Sequence, residues 1–157
     1  MKIIIVEDEK SIRNGLVKML PKLVPEYEVI GSAKAGSEGY QRILAEQPDL
    51  VIMDIEMPEM DGLTMLEKLR KEGFTGKAVV LTAYSDFSYA KRAIELGIEN
   101  YLLKPIKLEE LKKTLETASA SLRQEADTRK IQEKLLSLEQ IFRSALLAEL
   151  TVDEELE

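Results

Sequence analysis

Four short apolar runs in this chain each end on a reactive side chain: IIIV at Glu7 and Asp8, LVIM at Asp54, AVVL at Thr82, and YLL at Lys104 and Pro105. Short continuous runs rich in Ile and Val read as buried strands, and the longer segments between them carry helical periodicity. Strands apolar on both sides must be covered on both faces, so the alternation points to an α/β chain with a parallel sheet. Right-handed crossovers then make that sheet doubly wound.

Ile3 to Val6 reads as the first strand, followed by Ile12, Leu16, Met19, Leu20 and Leu23 at helical spacing. Val29 and Ile30 mark a short second strand. Tyr40, Ile43 and Leu44 mark a second helix that must end before Pro48. Leu50 to Met53 is the third strand. Pro58 and Gly62 bound a loop, and Leu63, Leu66 and Leu69 line the inner face of a third helix. Ala78 to Leu81 forms strand four. Ser85 or Asp86 is placed to cap a helix through Phe87, Ala90, Ala93 and Ile94 that stops at Gly97, and Tyr101 to Leu103 forms strand five.

The last helix begins near Leu108, and Leu108, Leu111, Leu115, Ala118 and Leu122 step by three and four, as a core-facing or coiled-coil seam does. Residues 123–130, RQEADTRK, interrupt it. Periodicity resumes at Ile131, Leu135, Leu138, Phe142 and Ala145, displaced by one residue from the earlier phase. Two readings stand here: one extended helix forming a coiled coil or linker, or two ordinary helices with a polar joint. The acidic ending ELTVDEELE suggests a chain that stops inside a longer protein.

The 157 residues contain no cysteine and no histidine, which removes disulfides, thiolate nucleophiles and the commonest general base. Any metal must therefore be held by oxygen, which favours Mg2+ or Mn2+ over zinc or copper. A phosphohistidine, if one is involved, belongs to a partner. The net charge of −7 has no basic excess in either residues 1–121 or 122–157, so direct nucleic-acid binding by this chain is not expected. No apolar stretch approaches the roughly 20 residues needed to cross a bilayer, and a cytoplasmic location follows most simply. Neither GxxxxGK[ST] nor GxGxxG occurs.

Asp8 follows strand one and Asp54 follows strand three, and in a sheet ordered 2-1-3-4-5, the flavodoxin-like arrangement, those strands meet at the switch point where such folds bind ligands. Two carboxylates about 4 Å apart repel by about 4 kcal/mol at an effective dielectric of 20, so Glu7, Asp8 and Asp54 together call for a cation. Phosphoryl transfer needs positioning and charge neutralisation, which an amine such as Lys104 supplies. Pro105 makes a cis Lys104–Pro105 bond accessible at modest cost, and cis is expected. Each acid alone has a simpler explanation as a cap or turn residue. Their joint placement at successive strand ends favours a shared site.

The segments IIIVEDE, LVIMDIEMPEMDGL, VVLTAYS and NYLLKPI resemble the motifs of two-component response-regulator receiver domains, over about residues 1–121. The resemblance implies that Asp54 is the phosphoacceptor, that Asp8 and Asp54 ligate the metal directly, that Glu56 offers its backbone carbonyl, and that Glu7 acts through water. It also implies that Thr82 and Lys104 contact the phosphoryl group, that Thr82 and Tyr101 form the switch, and that Glu56 and Tyr84 flank the water path. A sensor histidine kinase is the implied partner. LTAYSDFSYAKRAIELGIENYLLKPI is similar to receivers joined by a helical linker to AraC-type helix-turn-helix output domains. Residues 122–157 then read as a linker without the output domain, and a homodimer through the C-terminal helix or the receiver surface is expected. No turnover of an external substrate is expected. Two other readings remain: a phosphatase like the haloacid dehalogenases, and a scaffold that binds partners without phosphorylation.

Overall fold

A computed structural model describes residues 1–83 and 87–156. Strands and helices alternate as β1 (Lys2–Val6), α1 (Lys10–Leu23), β2 (Glu28–Ala33), α2 (Gly36–Glu46), β3 (Leu50–Asp54), α3 (Gly62–Lys71), β4 (Lys77–Thr82), α4 (Phe87–Glu95), β5 (Asn100–Leu103) and α5 (Leu108–Leu156). All five strands lie in one sheet, ordered β2-β1-β3-β4-β5, and every pairing is parallel. This is the doubly wound arrangement expected from the alternation.

The three inner strands carry the core. Their side chains alternate between two apolar layers, because successive residues of a strand point to opposite faces. Ile4, Val6, Val51, Met53 and Val80 pack with Ile43 of α2 and with Leu63, Leu66 and Leu69 of α3. Ile3, Ile5, Ile52, Val79 and Leu81 pack with Leu16 and Leu20 of α1 and with Leu111, Leu115 and Ala118 of α5. Burying one such aliphatic side chain stabilises by about 1.5–3 kcal/mol, so the runs that marked the strands also hold the layers together.

The edges differ from the expectation of full coverage. β2 and β5 are only partly buried, and β2 extends to Ala33, well beyond Val29 and Ile30. Its pairing with β1 shifts between Ile3 and Ile4, setting Gly31 opposite Ile4 and Ser32 opposite Ile5. Gly and Ser are weak strand formers, which hid this part of the strand. A Cβ on Gly31 would lie 2.3 Å from the guanidinium of Arg42, the movable end of a side chain that donates to the Ser32 and Ile30 carbonyls.

Helix α3 starts at Asp61, whose carboxylate accepts from the Thr64 amide at 2.7 Å, a side-chain N-cap. Helix α4 closes where expected: Gly97 takes φ +71°, and its amide and that of Ile98 bond back to Ile94 and Ala93. The proposed caps Ser85 and Asp86 lie outside the described residues. Ile94 does not face the core; it is 80% exposed, and Ala93 takes the buried place.

The chain forms two compact units, residues 1–119 and 120–157. Within the first, Leu111, Leu115 and Ala118 are fully or almost fully buried, so that seam is core-facing. Helix α5 runs without interruption from Leu108 to Leu156, which replaces the reading of two helices with a joint. The polar stretch 123–130 stays helical because Arg, Gln, Glu, Ala and Lys are all good helix formers. In the second unit, Ile131, Leu135, Leu138 and Phe142 are exposed. Among the described residues, no helix is long and apolar enough to cross a membrane.

Candidate functional site

Strand register brings the reactive residues to one edge of the sheet. Val6 pairs with Met53, Asp54 with Leu81, and Thr82 with Leu103. The residues just beyond these pairs, Glu7, Asp8 and Lys104, therefore emerge beside Asp54 and Thr82 on strands about 4.8 Å apart. The Lys104 amide also donates to the Thr82 carbonyl at 2.7 Å, and the Lys104–Pro105 peptide bond is cis.

Lys104 is the hub. Its ammonium donates to Glu7 Oε1 at 2.6 Å and to Asp54 Oδ2 at 2.9 Å, and Glu9 stands 3.9 Å away. Burial alone would lower the Lys104 pKa, but its hydrogen bonds to Glu7 and Asp54 outweigh that and raise it. Glu7 is 1% exposed. Burial, together with the charge of Asp54, pushes its carboxyl up to about 7, against the lowering effect of its hydrogen bond from Lys104.

Asp54 is buried at the end of β3, and its Oδ1 accepts from the Glu56 amide at 3.3 Å. The loop that follows folds back tightly: the Gly62 amide bonds to the Ile55 carbonyl, and a Cβ on Gly62 would come within 2.1 Å of the Asp54 carbonyl oxygen. Only glycine fits there without moving the backbone of Asp54. On the other side, Arg13 of α1 donates to the Glu7 carbonyl at 2.8 Å and to the Asp8 carbonyl at 3.3 Å. That guanidinium fixes the turn carrying both acids.

Carboxylate oxygens of Glu7, Asp8 and Asp54 lie within 4.8 Å of one another. Glu7 Oε2 is buried and has no hydrogen-bond partner among the described residues. One lysine cannot offset three acids, and an orphaned buried carboxylate oxygen is costly. The donor set is all oxygen and anionic, which fits a hard divalent cation such as Mg2+ or Mn2+.

An open cavity of about 420 Å³ leads to this edge, lined by Asp8, Glu56, Met57, Pro58, Asp61 and Tyr89. The Glu56 carboxylate is exposed at its mouth and accepts from the Tyr89 hydroxyl at 3.0 Å. Thr82 is fully buried at the end of β4. Tyr101, one step along β5 from its exposed end, is half-buried against the α3–α4 side of the core. Tyr84 lies outside the described residues.

The structure thus brings together Glu7, Asp8, Asp54 and Lys104, with Thr82 one strand position away. Sequence reasoning missed Arg13, Asp61 and Tyr89. A capping signal, Asp three residues before Thr64, could have found Asp61. Arg13 and Tyr89 act across elements, and no local pattern announces them.

A family model described as the response regulator receiver domain matches residues 3–116. The transcriptional regulatory protein YesN of Bacillus subtilis is 34% identical over 124 residues, covering 79% of this chain and 34% of YesN. The nitrate/nitrite response regulator NarL of Escherichia coli is 35% identical over 118 residues, covering 75% of this chain and 54% of NarL. Among solved structures, the receiver domain of AraT, a response regulator from Geobacillus stearothermophilus, superposes with a TM-score of 0.72 at 33% identity, covering 80% of this chain and 97% of that one. The chain spans 34% of YesN and 54% of NarL, so both relatives are much longer than the matched part.

Proposed function

The chain belongs to the response regulator receiver domain family, and from that premise we propose that Asp54 accepts a phosphoryl group from the phosphohistidine of a partner sensor histidine kinase. The observation that carries this reading is the Lys104 ammonium held between Glu7 and Asp54 at a buried strand end beside a third acid. In the transfer, an Asp54 carboxylate oxygen forms the new bond to phosphorus while the phosphorus–nitrogen bond of the donor breaks. The imidazole leaves with the electron pair and takes a proton from solvent.

This chain's residues supply position and charge. Lys104, already bonded to Asp54, is placed to follow the transferred oxygens, and the Glu56 amide steadies the other side of the carboxylate. Asp8, Asp54, the backbone carbonyl of Glu56 and, through water, Glu7 would hold Mg2+ or Mn2+. The ion, when bound, neutralises charge on the phosphoryl oxygens. The new phosphoryl group adds about 1.5–2 negative charges, enough to draw the Thr82 hydroxyl and bias Tyr101 between two packings.

The same reading places the chain in the cytoplasm, assigns it no turnover of an external substrate, and makes it control an output domain. That output is DNA-binding transcription regulation of the AraC type, with residues 1–121 as receiver and 122–157 as linker. Self-association through the C-terminal helix or the receiver surface belongs to it. With magnesium and acetyl phosphate, intact-protein mass should rise by one phosphoryl group, and Asp54→Asn should abolish most of the rise. Equal labelling of the variant overturns the assignment, and steady hydrolysis of phosphomonoesters would favour a phosphatase instead.

A further inference from the structure

Among the described residues, the second unit consists of α5 alone. Ile131, Leu135, Leu138, Ile141, Phe142 and Leu146 are each at least half exposed there, and Phe142 reaches 70%. A helix with so much large apolar surface in water needs a cover. The spacing of these residues says what kind.

With Leu135 at heptad position a, Ile131 and Leu138 fall at d, Phe142 at a and Ala145 at d. This phase is offset by one residue from that of Leu111, Leu115 and Ala118, which are spent on the core. The seam from 131 to 145 is therefore a separate surface. The same frame sets Lys134 at g and Glu139 at e, then Ile141 at g and Leu146 at e.

In two parallel helices in register, each g residue faces the e residue of the following heptad on the other helix. Lys134 would meet Glu139 of a second copy, twice by symmetry, and Ile141 would meet Leu146 to seal the seam's flank. Arg143 holds Glu139 through Oε1 at 2.6 Å on the same helix, which orients the carboxylate for a second cation. An antiparallel pair centred on this seam brings g to g′ instead and sets Lys134 beside Ile141 or Ala148. The pattern is complementary to itself in one orientation.

We propose that residues 128–149 pair with those of a second copy as a parallel, in-register two-stranded coiled coil. This rests on the reading above that the chain self-associates, and it names the partner, the segment and the direction. Two receiver units are thereby held as neighbours whatever their phosphorylation state.

The absence of cysteine makes the test clean. In the full chain, Ala145→Cys places one thiol at a d position, and mild oxidation should give a covalent dimer on a non-reducing gel. Sedimentation of the unaltered chain should show a dimer, and Lys134→Glu or Glu139→Lys should each weaken it about tenfold, since attraction becomes repulsion in both symmetric pairs. The combined reversal should restore it. A monomer at every concentration, a dimer that does not cross-link through residue 145, or indifference to both charge variants overturns the proposal. Phosphorylation by acetyl phosphate measured on the same samples reports separately on Asp54, so a monomer that still labels sinks the coiled coil alone.

Discussion

Glu7 is a carboxyl buried at the site, and its protonation couples to folding. Without a bound cation, burial above all pushes its carboxyl from 4.5 up to about 7. Below 4.5 both folded and unfolded chains hold the proton, so nothing is lost. As pH rises from 4.5 towards 7 the unfolded chain releases its proton while the folded one keeps it, and stability falls. Denaturant titrations in chelator should show a loss of about 1–3 kcal/mol across that window, flattened in Glu7→Gln. An unchanged slope in the variant would show that Glu7 is not the titrating group. The acids and the lysine were legible because each ends an apolar run, whereas Glu7's dominance over Asp8 was not. Burial depends on which neighbour closes over a side chain, and Lys104 is 97 residues away.

Helix α5 shows two apolar seams with different fates. Leu115 is fully buried against the sheet while Leu135 is 61% exposed. Leu115→Ala should cost about 3 kcal/mol in thermal or denaturant unfolding, the usual penalty for emptying a packed aliphatic site. Leu135→Ala should leave the unfolding of residues 1–119 within about 0.5 kcal/mol. Comparable losses would mean the two seams share one core. At this scale the sequence displayed the inner strands plainly through their Ile and Val runs. It concealed the second half of β2, where Gly31 and Ser32 pair with Ile4 and Ile5 and where Arg42, not a side chain of the strand itself, covers the surface. The phase offset in α5 was visible, but its cause, a change from packed core to open seam, required the fold.

For the whole molecule, the site lies entirely within residues 1–119, one of the two compact units. If the proposed function holds, a chain ending at Ser119 should fold, bind Mg2+ and accept a phosphoryl group at Asp54 to the same extent as the full chain. Millimolar Mg2+ should raise its melting temperature by several degrees, because a ligand bound only by the folded state stabilises it. Asp8→Asn should remove most of that gain, and an Mg2+ response that survives the substitution would place the ion elsewhere. Chain alternation and handedness pointed only to a doubly wound parallel sheet; the meeting of the strand ends was anticipated by taking the flavodoxin-like order, which the sheet has.

Arg13 grips the turn after β1 by its peptide oxygens and leaves the acid side chains alone. Swapping either carboxylate for an amide therefore leaves the scaffold's fastening intact. Phenotypes of such variants can be interpreted as electrostatics, uncontaminated by collapse of the turn.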